Sequence, residues 1–158
     1  MRIANTIDDS IVDGEGMRFV VFTQGCPHCC RGCHNPDTHD FNAGTEISVD
    51  ELFSRVERNP LCSGLTLSGG EPFVQAAECA ELAERVRGTG RDVWCYSGYT
   101  LEEIREAGNP DWDRLLDNID VLIDGRFVEE LKSFSHKWRG SSNQRVYRLK
   151  PGADGDKR

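Results

Sequence analysis

Short apolar, β-branched runs alternate with helix-patterned stretches along most of this chain. That rhythm constrains the fold more than any other feature, because strand–helix–strand alternation is the mark of a parallel sheet with crossover helices. Arg18-Phe19-Val20-Val21-Phe22-Thr23 reads as a buried strand, preceded by a turn at Asp13-Gly14-Glu15-Gly16. Ser48 and Glu51 have capping-box spacing, Val49, Leu52, Phe53 and Val56 share a helix face, and Asn59-Pro60 ends it. Leu65-Thr66-Leu67 is the next strand. Helical spacing follows at Cys79, Leu82, Ala83 and Val86, stopped by Gly88 and Gly90. Val93-Trp94-Cys95-Tyr96 reads as a strand. Thr100 and Glu103 repeat the capping-box spacing, with Leu101 and Ile104 opening an apolar face. Residues 111–117 read as a short helix with Leu115 and Leu116 inward, and Val121-Leu122-Ile123 as a strand ending at Asp124-Gly125-Arg126. Beyond it the pattern weakens.

In folds of this kind the site lies at the C-terminal ends of the strands. The unusual residues fall there: a cysteine-rich loop within residues 24–47, Gly69-Gly70-Glu71, Ser97-Gly98 and Asp124-Gly125-Arg126 each follow a strand. A loop as long as 24–47 in a compact domain is usually functional. The chain has 158 residues, whereas a closed eight-stranded barrel needs roughly 200 or more. The expected fold is therefore α/β, a partial, open (β/α) barrel with a mostly parallel sheet. It forms a single domain over residues 1–150, with residues 151–158 as a disordered tail.

The net charge is −8 with no Lys/Arg block, which argues against nucleic acid as a partner. No apolar run approaches the roughly 20 residues of a membrane span. Met1-Arg2-Ile3-Ala4-Asn5 lacks the basic-then-apolar pattern of a signal peptide. The expectation is a cytoplasmic protein with no membrane partner. Its seven cysteines, an odd number in a reduced compartment, do not read as a disulfide framework. Cys62, Cys79 and Cys95 sit in apolar contexts and read as small core residues.

The other four fall in Gly25-Cys26-Pro27-His28-Cys29-Cys30-Arg31-Gly32-Cys33-His34-Asn35-Pro36. Thiolates in such a cluster suit zinc or iron–sulfur. Structural zinc wants four ligands, usually as two separated pairs. Here one loop holds the cysteines, and His28, His34 or His39 would have to complete the set; that reading makes the chain a zinc-stabilised binding module. An iron–sulfur cluster on three cysteines leaves one iron open to a small molecule. Cys26, Cys30 and Cys33 give C-x3-C-x2-C; Cys26, Cys29 and Cys33 give C-x2-C-x3-C. Spacing alone does not choose between them.

A resemblance does. C-x3-C-x2-C after a strand is the pattern of the radical S-adenosylmethionine (SAM) superfamily, and Cys26, Cys30 and Cys33 match it, leaving Cys29 a non-ligand. Gly32 stands where the superfamily often has an aromatic residue. One subfamily shares that departure, and the chain resembles it across residues 5–148: the activating proteins of anaerobic ribonucleoside-triphosphate reductase, which are glycyl-radical-enzyme activases. The matching segments are residues 11–16, 25–28, 32–36, 67–72, 97–99, 121–127 and Trp138-Arg139-Gly140-Ser141-Ser142-Asn143-Gln144-Arg145.

The resemblance implies an oxidoreductase with the partial barrel of the radical SAM type. Cys26, Cys30 and Cys33 would hold a 4Fe-4S cluster whose open iron is chelated by the amino and carboxylate groups of SAM. Reductive cleavage then yields a 5′-deoxyadenosyl radical that takes hydrogen from a glycine Cα of the reductase's large subunit. A low-potential donor such as flavodoxin would supply the electron. Gly69, Gly70 and Glu71 look like the SAM-binding turn, the glycines allowing close approach to the cationic amino group and Glu71 adding negative charge. As a bare motif, they are equally a tight strand-to-helix turn. Gly32, Cys33 and His34 would meet the adenine side. Asp124 and Arg126 stand where relatives place polar SAM contacts, Arg126 pairing with the carboxylate; without the resemblance they read as a turn with surface charge. Cys95 stands where some larger activases have an acidic SAM contact. Small radical SAM proteins also include activases of other glycyl radical enzymes and a deazapurine synthase. The Arg139–Arg145 segment favours the reductase activase, though the sequence assigns it no role.

Overall fold

The computed structural model describes residues 1–150; the tail expected to be disordered lies outside the described residues. The strands are β1 Arg2–Ser10, β2 Arg18–Thr23, β3 Thr45–Glu46, β4 Gly64–Gly69, β5 Asp92–Tyr96, β6 Val121–Asp124 and β7 Arg145–Arg148. They form one open sheet in the order β3-β1-β2-β4-β5-β6-β7. The helices are α1 Val49–Arg58, α2 Ala76–Gly88, α3 Leu101–Glu106 and α4 Pro110–Asp117.

β2, β4, β5 and β6 pair in parallel, and they are the four strands legible in the sequence. Both margins are antiparallel: β1 against β2 and β3, and β7 against β6. The sheet is therefore mixed around a parallel centre. β1 had no counterpart in the sequence reading, because only Ile3 and Ser10 of it are buried and its apolar residues are too sparse to alternate. β7 alternates over only four half-buried residues.

The helices start where the capping signals place them. Ser48 Oγ accepts the Glu51 N–H at 3.1 Å. Thr100 and Glu103 close a full capping box, which satisfies two otherwise unpaired N–H groups at the start of α3. Pro110 occupies the first turn of α4, where its missing N–H costs nothing.

Strand alternation sorts the side chains onto two different faces. Phe19, Val21, Leu65, Leu67, Val93, Cys95 and Leu122 pack with Leu52 and Val56 of α1, Leu82 and Val86 of α2, Ile104 of α3 and Leu115 of α4. Cys62 and Cys79 belong to the same core. Burial drives the Cys79 and Cys95 thiols well above their usual range, so they behave as small apolar residues.

On the other face Trp94, Val121 and Ile123 gather with Tyr96, Trp138 and Val146. The buried Arg18 guanidinium pairs with Asp92, donates to Thr66 Oγ1 at 3.1 Å and Leu65 O at 2.7 Å, and lies over Trp94. Irregular chain covers this face: Gly14 lies against the Trp94 ring, and Trp138 meets it edge-on at 5.3 Å. Among the described residues no helix is long and apolar enough to cross a membrane.

Candidate functional site

Because β2, β4, β5 and β6 run parallel, the loops leaving their C-terminal ends are neighbours. They close around a cavity of about 140 Å3 lined by Cys26, Cys30 and Cys33, with Gly69 and Gly70 after β4, Ser97 and Gly98 after β5, and Gly125 after β6. Cys29 is exposed, has a left-handed backbone (φ 49°) and is not part of that wall. Of the two cysteine triads the spacing allows, only Cys26, Cys30 and Cys33 face one cavity together.

Burial raises the Cys26 thiol to about 11; backbone hydrogen bonds from His28 and Cys29 work against it, and the Glu71 charge adds to it. Burial also raises Cys30, opposed by a backbone hydrogen bond from Phe127. The Asn35 N–H donates to Cys33 Sγ at 3.4 Å. These thiols become thiolates when a cation displaces their protons, and the N–H···S bonds then stabilise the sulfur charge. Among the described residues no three His, Cys, Asp or Glu side chains converge on a single ion. A 4Fe-4S cluster gives each cysteine its own iron, so thiols spread around one cavity suit it. His39 also lines the cavity, and its Nε2 is buried without a partner among the described residues; such an atom calls for a polar occupant. The donor set fits a three-thiolate cluster with one position left over.

The Gly69–Glu71 turn packs backbone to backbone against the end of β2. Gly70 N–H donates to Thr23 O at 2.8 Å and Glu71 N–H to Gly25 O at 2.9 Å. A Cβ on Gly69 (φ +94°) would collide with Thr23 N, and one on Gly70 with Gly25 O. The glycines are thus required by the protein's own close packing.

Glu71 is fully buried and does not line the cavity. Its Oε1 accepts from Phe73 N–H (3.1 Å) and Ser97 Oγ (2.8 Å), and its Oε2 from Gly98 N–H (2.8 Å) and His28 Nε2 (2.7 Å). Asp124 is likewise engaged inside the protein, by Arg145 at 3.0 and 2.7 Å and by the Leu101 N–H at 2.7 Å. Arg126 pairs with Glu103 at 3.3 Å and lies over Tyr99. The structure does not bring Glu71, Asp124 or Arg126 to the cavity wall. Gly32 sits against the Glu129 carboxyl group.

A larger cavity of about 480 Å3, with Val12, Asp13, His34, Trp138, Arg139 and Gly140 in its wall, shares Asn35, Ser68, Tyr96, Phe127 and Gln144 with the first. The two adjoin. His34 stacks at a tilt on Phe127, 5.0 Å between rings. Gln144 anchors the Trp138–Gln144 segment: its Nε2 donates to Gly125 O at 2.9 Å, and its Oε1 accepts from Gly140 N–H at 2.8 Å. Arg139 Nη1 donates to Gln144 O at 3.1 Å, while its Nε is buried without a partner among the described residues. Sequence reasoning missed Tyr96, Phe127 and Asp13 as wall residues. Each lay inside a singled-out segment, but only folding shows which side faces the cavity.

A family model described as a 4Fe-4S single cluster domain matches residues 12–147. The anaerobic ribonucleoside-triphosphate reductase-activating protein of Escherichia coli K12 is 38% identical over 152 residues, which cover 89% of this chain and 94% of that protein. Its namesake in Haemophilus influenzae is 36% identical, covering 89% and 93%. The one from Enterobacteria phage T4 is 35% identical over 143 residues, covering 86% of each. With a cysteine loop, a glycine turn and a Trp138–Gln144 segment that meet at one set of strand ends, this chain belongs to the family of anaerobic ribonucleoside-triphosphate reductase-activating proteins.

Proposed function

We propose that this chain activates an anaerobic ribonucleoside-triphosphate reductase, using a 4Fe-4S cluster on Cys26, Cys30 and Cys33 and SAM bound at the open iron. One observation carries the reading: three thiols and the Gly69-Gly70 turn line a single cavity at the ends of parallel strands, next to a larger one. Helices on one sheet face and irregular chain on the other support a partial, open barrel of the radical SAM type.

When bound on Cys26, Cys30 and Cys33, the reduced cluster would supply the electron for cleavage of SAM, the chemistry from which the hydrogen-abstracting radical for the reductase's glycine would come. The chain's residues bind, orient and exclude water. Cys26 is held in a buried position that keeps solvent from the cluster. Gly69 and Gly70 offer backbone beside the thiols for the amino group of SAM, and Glu71 lends negative potential from behind them. Gly32, Cys33 and His34 form the adenine side, His34 standing in the wall of the larger cavity. Asp124 and Arg126 act at this strand end by holding the turn that carries Gly125 and Phe127 into the wall.

The larger cavity receives the glycine-bearing segment of the reductase. Trp138, Arg139 and Val12 line it; Val12 and its neighbour Ile11 are each 73% exposed, as a contact surface for a partner requires. The exposed Cys29 marks the solvent side of the cluster loop, where a low-potential donor such as flavodoxin delivers the electron. The free thiols suit the cytoplasm.

The test is anaerobic reconstitution with SAM, reductant and the reductase, read by electron paramagnetic resonance (EPR). A glycyl radical formed together with 5′-deoxyadenosine is the expected result. SAM cleavage without a radical on the reductase removes that substrate. About one zinc per chain, without iron or sulfide, removes the cluster.

A further inference from the structure

Glu71 accepts four hydrogen bonds and lines neither of the two cavities, so its effect on the site passes through a neighbour. We propose that His28, inside the cysteine loop, is the positioning residue through which Glu71 sets the cluster loop against the Gly69-Gly70 turn. This rests on the proposed SAM chemistry and adds a role for a residue outside the thiol triad.

His28 stands between Cys26 and Cys30, and its ring lines the cluster cavity. Its side chain is 5% exposed, and Nε2 lies 2.7 Å from Glu71 Oε2. That oxygen also accepts the Gly98 N–H, and its partner oxygen accepts Ser97 Oγ and Phe73 N–H. A carboxylate so surrounded by donors accepts from His28 as well, which assigns the ring proton to Nε2. The ring packs edge-on against Tyr99 at 4.4 Å between centroids. Gly98 has no room for a Cβ, which would collide with the imidazole.

One ring therefore ties together the loops after β2, β4 and β5. Cys26 and Cys30 flank it in sequence, while Gly98, Tyr99 and the Glu71 carboxylate meet it in space. A buried hydrogen bond to a charged group is geometrically strict. Losing it frees the cysteine loop to shift against the Gly69-Gly70 turn, and misplacement of about an ångström is enough to disturb a reacting pair.

The test compares His28→Gln, whose side-chain amide still presents an N–H, with His28→Leu, which fills similar space without a donor. For His28→Leu the expected KM for SAM rises about tenfold or more, the loss of a charge-assisted hydrogen bond. The change that SAM causes in the EPR signal of the reduced cluster is lost, and His28→Gln restores much of both. Loss of cluster loading in His28→Leu with retention in His28→Gln supports the same role. A second readout uses the apo chain, so it stands even if the SAM chemistry fails. The unfolding midpoint of His28→Leu/Glu71→Gln should fall no further than that of the worse single variant. A wild-type SAM response in His28→Leu, equal impairment in both His28 variants, or additive midpoint shifts in the apo chain would overturn the assignment.

Discussion

The two faces of the sheet differ although they are built from the same strands. On β4, Leu67 is buried against the helices, while Ser68, its neighbour, lines the cavity. On β5, Cys95 lies in the core and Tyr96 in the cavity wall. The helix face is apolar and closed by α1 to α4. The other face carries a buried Arg18 paired with the partly exposed Asp92, a tryptophan pair and two adjoining cavities. A period of two lets one strand supply stability and a site at once. What separates the roles is the covering, because irregular chain leaves room that packed helices do not.

The largest expected break in that contrast is at the cluster cavity. Cys26→Ala, Cys30→Ala and Cys33→Ala should each lose iron and sulfide and drop SAM cleavage to background, while Cys29→Ala keeps both. Retention of the cluster in Cys30→Ala with loss in Cys29→Ala would reverse the choice of triad. Next comes the helix face. Leu67→Ala should lower the unfolding free energy of the apo chain by about 3 kcal/mol, since a fully buried leucine leaves a cavity. Ser68→Ala, one residue on, should change it by less than about 0.5 kcal/mol. Denaturant titration of the two variants compares the faces directly.

A smaller effect is expected at Arg18, whose removal strips charge-assisted hydrogen bonds from Thr66 and Leu65. Arg18→Met should cost about 2 kcal/mol, read by the same titration. The smallest lies at the margin. Arg145 holds the Glu102 carboxyl down to about 2 by its hydrogen bonds. A carboxyl depressed on folding stabilises above its ordinary 4.5 and loses that contribution as pH falls toward 2. The stability gap between wild type and Glu102→Gln should therefore be full at neutral pH and close between these values. Because Glu102 is exposed, added salt should shrink it.

The parallel centre was legible because β2, β4, β5 and β6 are buried on both sides and read as apolar runs. β1 and β7 were not, because margin strands carry polar and exposed residues that look like loop. The cysteine loop and Gly69-Gly70-Glu71 were legible as motifs, and their positions after strands placed them at one edge. Their division of labour was not. Glu71 and Asp124 look alike as ligand contacts, yet His28, Ser97 and Gly98 surround one and Arg145 holds the other, partners distant in sequence. The Trp138–Gln144 segment was recognisable without a role until Gln144 was seen to fasten it beside Gly125.

By itself, the sequence determined the strand–helix rhythm, the helix starts and the set of thiols, because period, capping and spacing are local properties of the chain. Only the tertiary structure decided which thiols share a cavity, which carboxylates are spent inside the protein and where the second cavity opens. Those depend on which strand ends become neighbours, and on hydrogen bonds between residues that meet only when the sheet forms.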